Sequence, residues 1–410
     1  MLFRKTFLLS LLASVLGAPL EIREDEIYDA VIVGGGPSGL AALSALARVR
    51  RKVILLDSAD YRNAATRVMH DVLGFDGVTP AYYRYVARQQ IAFYNTISMR
   101  NGTVSKIEPK GTPDRSLFAV TANFLPDDGV RTVLARKVVL GTGMRDIVPT
   151  GTPGVLEAWG KGIYWCPWCD GHEHADQPLG LFGSLEKIPS LVREILTLNK
   201  DIIAFTNGTN TAETRAKAED DFPQWQRYLR IHNVTVNDNP LSALVRLRNG
   251  TDGTEDPSLP SVTDHDLFRV EFAGGAKPIE RAAFLVSWPV VQASSLGTDT
   301  GVWQWGQKLA VNQTDGHMTN VPGLYAVGDA NSDNSTNVPH ALYSGKSAGV
   351  YLHMALQKED ALAELAKADA EGDSKRKRDL EKREFLSARD IWDIVNGNPG
   401  EPLWAGLYQD

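Results

Sequence analysis

Residues 28–57 restrict this chain more than any other stretch. "YDAVIVGGGPSG" runs a β-forming apolar segment into Gly34, Gly36 and Gly39, "LAALSALARVR" supplies helix formers, and "KVILLD" is a second strand ending in Asp57. A G-x-G-x-x-G triplet alone is a weak signal. Set between strand and helix, with an acid beyond the second strand, it reads as a dinucleotide-binding βαβ unit. The glycines let backbone amides approach a pyrophosphate at the helix N-terminus, and the acid bonds a ribose hydroxyl.

A second unit of the same kind follows. "PLGLFGSLEKIPSLVREILTLNKDIIAFTNG" has strand, turn, helix and strand in order, but "GSLEKI" keeps only Gly183, with Leu185 and Ile188 where glycines belong. A leucine side chain at the second position is expected to fill the space a pyrophosphate needs. "FTNGTN", at the end of the second strand, offers neither an arginine for a 2′-phosphate nor an acid for a ribose. The fold class expected is therefore α/β with two Rossmann-like nucleotide-binding domains, the second degenerate. "RKVVLGTGM" is a further buried strand, residues 249–266 read as a surface loop, and "GLYAVGD" leads through a loop into a helix ending near Leu356.

The chain has only two cysteines, Cys166 and Cys169, in "YWCPWCDGHE". A bridge between positions so close constrains the unfolded chain little. Zinc needs about four ligands, and His172 and His174 follow without finger spacing, so no metal is expected. Redox chemistry is the favoured reading. A C-x-x-C at a helix start lowers thiolate pKa, and Pro167 stiffens the turn. Trp165 and Trp168 either wall a small thiol or simply pack.

The formal net charge of −7 arises from many charges of both signs and recommends neither nucleic acid nor a membrane as partner. Residues 1–18 read as a secretory signal peptide: Arg4 and Lys5, an apolar run from Phe7 to Leu16, then Gly17 and Ala18. That run is too short to span a bilayer. Asn101, Asn207, Asn233, Asn249, Asn312 and Asn334 each open a glycosylation triplet, where roughly two would arise by chance. A secreted, glycosylated protein is expected. Near the C-terminus, "EGDSKRKRDLEKRE" reads as a solvated helix or linker with a dibasic Lys382-Arg383 pair, and the aromatic residues beyond it need a packing surface such as a partner subunit.

The motifs "VIVGGGPSG", "GTG" at 141–143, "CPWCDG" and "GLYAVGD", in that order over about residues 28–356, resemble the two-domain flavoprotein disulfide reductases of low-molecular-weight thioredoxin-reductase type. The resemblance implies an FAD domain built from residues 26–146 and 287–360, an inserted nicotinamide-type domain at 147–286 carrying the C-x-x-C, and an extension at 361–410, in a homodimer. It places FAD against Gly34, Gly36, Pro37, Ser38, Gly39, Asp57, Thr142, Gly143, Gly328, Asp329, His340 and Ala341. Cys169 would lie against the flavin and Cys166 would meet the thiol. Asp170 and His340 are the candidate proton carriers.

The degraded second turn, the signal peptide, the triplets, and "NVPHAL" where the reductases carry an Arg-Gln-Ala segment are similar to the fungal branch of dithiol and sulfhydryl oxidases. That branch includes secreted glutathione oxidases and enzymes that close disulfides in epidithiodioxopiperazine metabolites. The implied function is oxidation of small thiols such as glutathione, with electrons passing through Cys166–Cys169 and FAD to O2, which becomes peroxide. A dithiol oxidase of a secondary metabolite and an NADPH-dependent thioredoxin reductase are the alternatives.

Overall fold

The computed structural model describes residues 26–126, 129–251 and 261–370. The expected signal peptide, the Lys382-Arg383 pair and the aromatic C-terminus lie outside them. Strand β1 (Ile27–Val33), helix α1 (Pro37–Arg48) and strand β2 (Val53–Asp57) form the βαβ unit read from the sequence. After helix α2 (Pro80–Ile91) come β3 (Ile97–Pro109), β4 (Phe118–Phe124) and β5 (Gly129–Leu140). Pairing is parallel from the start of β3 through β2 and β1 to the end of β5, then to the strand Leu324–Ala326. This last strand, nearly two hundred residues beyond β5, completes the sheet.

β1 and β2 are almost continuously apolar and buried, as strands covered on both faces must be. β3 and β5 are longer than their parallel pairings need. The second half of β3 and the first half of β5 leave that layer and enclose β4 in an antiparallel sheet, with Val120 opposite both Ile107 and Val133. The alternating burial along β3 matches a sheet buried on one face.

The inserted domain has its own parallel sheet, in the order Thr235–Asn237, Ile202–Phe205, Leu179–Phe182, Ala283–Val286, Ile163–Tyr164. Its core includes Phe182 stacked on Phe284 at 4.3 Å. A Cβ on Gly180 would stand 2.2 Å from the Phe284 ring, so a glycine is needed beside that stack. The two chain crossings between the domains pair with each other: Met144–Asp146 runs antiparallel to Val290–Gln292.

Helix Val338–Ala370 is longer than its expected end near Leu356. Residues 355–370 of this helix belong to a second compact unit, the first ending at Met354. In the first unit the helix crosses α1 on small residues. A Cβ at Gly345 would lie 2.0 Å from the Ser38 carbonyl oxygen, and one at Gly349 would lie 2.6 Å from Ala45 Cβ. Gly345→Ala is therefore expected to destabilise the protein by about 1–3 kcal/mol through overpacking, read as a lower urea midpoint with unchanged slope.

Candidate active site

A cavity of about 770 Å³ lies between the βαβ glycine turn and the cysteine motif. The turn forms its floor. Gly34 adopts φ +103°, and a Cβ there would meet the Gly141 carbonyl oxygen at 2.4 Å; one on Gly39 would meet the Gly34 carbonyl oxygen at 1.9 Å. These two glycines serve close packing of strand, turn and helix. Gly36 differs. It has ordinary backbone angles and nothing lies within 4 Å of its would-be Cβ. It lines the cavity and caps α1 without a side-chain hydrogen bond, so the first-turn amides remain available to an anion.

Pro37, Ser38, Asp57, Thr142, Gly143, Asp329 and Ala341 line the same cavity. Gly143, at φ +71°, also has open space where a side chain would project. Gly328, at φ +66°, wedges between α1 and the long helix, its N–H donating to Ser344 Oγ at 2.9 Å. Asp57 is buried, accepts the Ala59 N–H, and has its other oxygen held by Tyr61 and Arg88. These features fit a dinucleotide pyrophosphate and ribose: open amides, two glycines with vacant Cβ directions, and an oriented buried acid.

Cys166 and Cys169 form a disulfide. Cys166 precedes a single helical turn, Pro167–Asp170, and accepts the Cys169 N–H at 3.1 Å. The helix start read from the sequence is thus a single turn, and the amide field at the motif is that of one turn. Cys169 and Asp170 line the cavity, while Cys166 is buried behind them at 7 % exposure. Trp168 is exposed. Trp165 instead carries the Arg62 guanidinium on its ring, 4.3 Å from the centroid.

Burial pushes the Asp170 carboxyl up to about 7, against the pull of His174 and His70. His174 is buried, its Nδ1–H donates to the Asp170 backbone oxygen at 3.0 Å, and its Nε2 faces Asp266. His174, Asp264 and Asp266 converge, and Arg67 bonds both carboxylates at 2.8 Å while Arg246 also pairs with Asp266. Guanidinium groups thus neutralise this acidic cluster.

His340 stands at the start of the long helix, but its ring turns to Asp333, with Nε2 2.6 Å from Oδ2; His317 approaches the same oxygen at 3.4 Å. Burial opposes the Asp333 charge, yet the two histidines hold its pKa down to about 2. Ala341, not the His340 ring, faces the cavity.

The loop after β2, "YRNAATRVMH", supplies site residues that no sequence motif marks. Its Arg62 forks onto Asp146 at 2.7 and 2.8 Å and reaches Asp329 at 2.8 Å. Burial opposes this charge, but the two carboxylates outweigh it and raise the Arg62 pKa further. Arg67 crosses to the inserted domain, and His70 lines the cavity beside Asp170. The two arginines and the histidine directly downstream of an acid-ended strand were the available signal.

In the inserted domain, Leu185 points inward. It is fully buried with Ile188 in the domain core, so it does not fill ligand space as expected. The turn differs from the first in its donors, although a cavity of about 470 Å³ lies beside it. The Leu185 N–H donates to Thr209 Oγ1 at 3.1 Å, the Lys187 N–H to the Ser184 carbonyl at 2.9 Å, Pro189 has no N–H, and Glu186 adds a negative charge.

This arrangement, a dinucleotide cradle facing a redox disulfide across one cavity, defines an FAD-dependent disulfide oxidoreductase. Residues 28–189 match the model of the pyridine nucleotide-disulphide oxidoreductase family. A probable thioredoxin reductase of Arthroderma benhamiae is 44% identical over 371 residues, covering 88% of this chain and 89% of its own. The thioredoxin reductase tcpT of Claviceps purpurea is 29% identical, over 79% of this chain and 92% of its own. The crystal structure of HlmI superposes with a TM-score of 0.69 at 28% identity, over 84% of this chain and 96% of its own. The chain belongs to the pyridine nucleotide-disulphide oxidoreductase family, in its thioredoxin-reductase-like branch, and its cofactor is FAD.

Two predictions follow from the geometry. Gly36→Ala should leave the apoprotein's thermal midpoint unchanged and weaken FAD binding about tenfold or more, whereas Gly39→Ala should lower the midpoint itself, as calorimetry and flavin titration will show. For Asp170, the folded carboxyl stays protonated to about pH 7 while the unfolded one ionises near its ordinary value. Oxidised wild-type protein should therefore lose stability relative to Asp170→Asn as pH rises from about 4 to about 7, with no further change above.

Proposed function

We propose that the protein is a secreted, FAD-dependent thiol oxidase that joins small thiols such as glutathione into disulfides and passes the electrons to O2 without consuming a nicotinamide. The contrast between the two βα turns carries the reading. The first keeps open amides and a vacant Gly36 face, while the second has the Leu185 and Lys187 amides engaged and an acid at the turn. Bound FAD supplies the two-electron link between the cysteine pair and O2.

The chain's own residues do the rest. A substrate thiolate attacks Cys166, breaking its bond to Cys169, and a second thiolate attacks the resulting mixed disulfide to release product and leave both cysteines reduced. Cys169 is the sulfur that faces the cavity. Asp170, raised to about 7, can hold or release a proton beside it near neutral pH. His340, bonded to Asp333, serves in this reading to hold the helix start.

All six asparagines of the glycosylation triplets are exposed, including Asn334 in the loop before the long helix. That supports the secretory part of the proposal, as does the reading of residues 1–18. A homodimer is part of it, and oxidation of a secondary-metabolite dithiol is its alternative. The relatives' names favour the alternative of an NADPH-dependent thioredoxin reductase, so the test compares both.

Purified FAD-loaded protein given glutathione in air should consume O2 and yield one peroxide per disulfide, while Cys166→Ser and Cys169→Ser should each abolish this. Flavin bleaching by NADPH, with no thiol-driven O2 uptake, would establish the reductase instead. Protein from the culture medium should shift to lower mass on enzymatic deglycosylation.

A further inference from the structure

Thiol oxidation moves protons as well as electrons. Each pair of thiols releases two protons when its thiolates attack, and two electrons pass to the cysteine pair. O2, the oxidant, takes up two electrons and two protons to leave as H2O2. Asp170 faces the cavity beside Cys169, and among the described residues its carboxylate has no hydrogen-bond partner. A group so placed needs a route to solvent.

His70 provides a connection. It lines the same cavity, its side chain is 8 % exposed, and its Nε2 is buried without a hydrogen bond. Nε2 lies 3.4 Å from Glu173 Oε1, and Nδ1 lies 3.6 Å from Asp76 Oδ2. The two acids differ. Glu173 is buried and accepts the Ser261 hydroxyl at 2.7 Å, whereas the Asp76 side chain is 37 % exposed. The backbone fixes this geometry: the Met69 N–H donates to the Val78 carbonyl at 2.8 Å and the Gly77 N–H to the Met69 carbonyl at 2.9 Å, closing the turn that carries His70 and Asp76. His174 and Asp264 act on Asp170 from the inserted domain and complete the charged groups facing the path.

We infer that His70 is a proton-transfer residue that carries protons between Asp170 at the cavity and Asp76 at the surface. The inference rests on the thiol-oxidase reading. An imidazole has the two nitrogens such a relay requires: Nε2 faces the buried Glu173 and Nδ1 the exposed Asp76, while the ring shares the cavity with Asp170.

Dithiothreitol tests the relay without requiring the natural substrate. Full-length, FAD-loaded wild type, His70→Ala, His70→Gln and Asp76→Asn are mixed with it anaerobically, and loss of flavin visible absorbance is followed by stopped flow. Both His70 variants should react about tenfold more slowly or worse, and Asp76→Asn should be slowed less. FAD content and the cysteine disulfide should be unchanged. Added imidazole should accelerate His70→Ala and leave wild type unaffected, a rescue that a merely structural role would not give. Bleaching of His70→Ala at the wild-type rate, or slow bleaching indifferent to imidazole, would overturn the relay alone. Wild type that dithiothreitol fails to bleach would overturn the thiol-oxidase reading and the relay with it.

Discussion

One guanidinium joins the parts of this molecule that the chain keeps far apart. Arg62 forks onto Asp146 at the first crossing to the inserted domain, reaches Asp329 in the returning half of the FAD domain, and lies on Trp165 beside the cysteine motif. Burying a cation is costly, and here two carboxylates offset the cost. Without Arg62, Asp146 and Asp329 would face each other as poorly solvated like charges. The junction thus places the disulfide and the cofactor cradle on opposite walls of the same cavity.

The first domain was legible in the sequence because backbone constraints leave marks that local reading can recover. Gly34 needs a positive φ, Gly39 a close helix contact, and β1 and β2 burial on both faces; each demand selects a residue type at a fixed spacing. The C-x-x-C was equally plain, since a chain with two cysteines leaves few roles for them. Arg62, Arg67, His70 and Arg88 were not legible. Their partners lie 84, 199, 103 and 31 positions away, and no local period encodes such pairings. His340 was legible as a helix start, but the direction of its ring depends on Asp333 and His317.

The degenerate turn shows how a sequence pattern can be read correctly for an incorrect physical reason. Loss of the glycines did mark a changed turn. Leu185, however, acts by joining the core, which pulls the turn inward and brings its N–H onto Thr209. A glycine at that position would have no apolar side chain to bury, and nothing would draw the turn toward the core. Packing energy therefore reshapes the turn, and steric bulk in the ligand space does not: a cavity of about 470 Å³ still lies beside Glu186, Lys187 and Pro189.

Polar and charged pairs also span the boundary to the inserted domain. The loop after β2 contributes Arg62, Arg67 and His70, and each meets an acid at the boundary: Asp146, the Asp264–Asp266 pair and Glu173. An apolar interface tolerates sliding, because one methyl contact replaces another at little cost. These groups do not, since a small displacement would pull Arg67 from Asp264 and from the fully buried Asp266, leaving Arg246 as the guanidinium on Asp266. Such a boundary suits a protein whose cysteine pair works in one place. Asp170 sits at the same boundary, and there burial raises its carboxyl toward neutrality while His70, one of the boundary groups, and His174 pull it back, so the contacts that position the domain temper the proton affinity that burial creates.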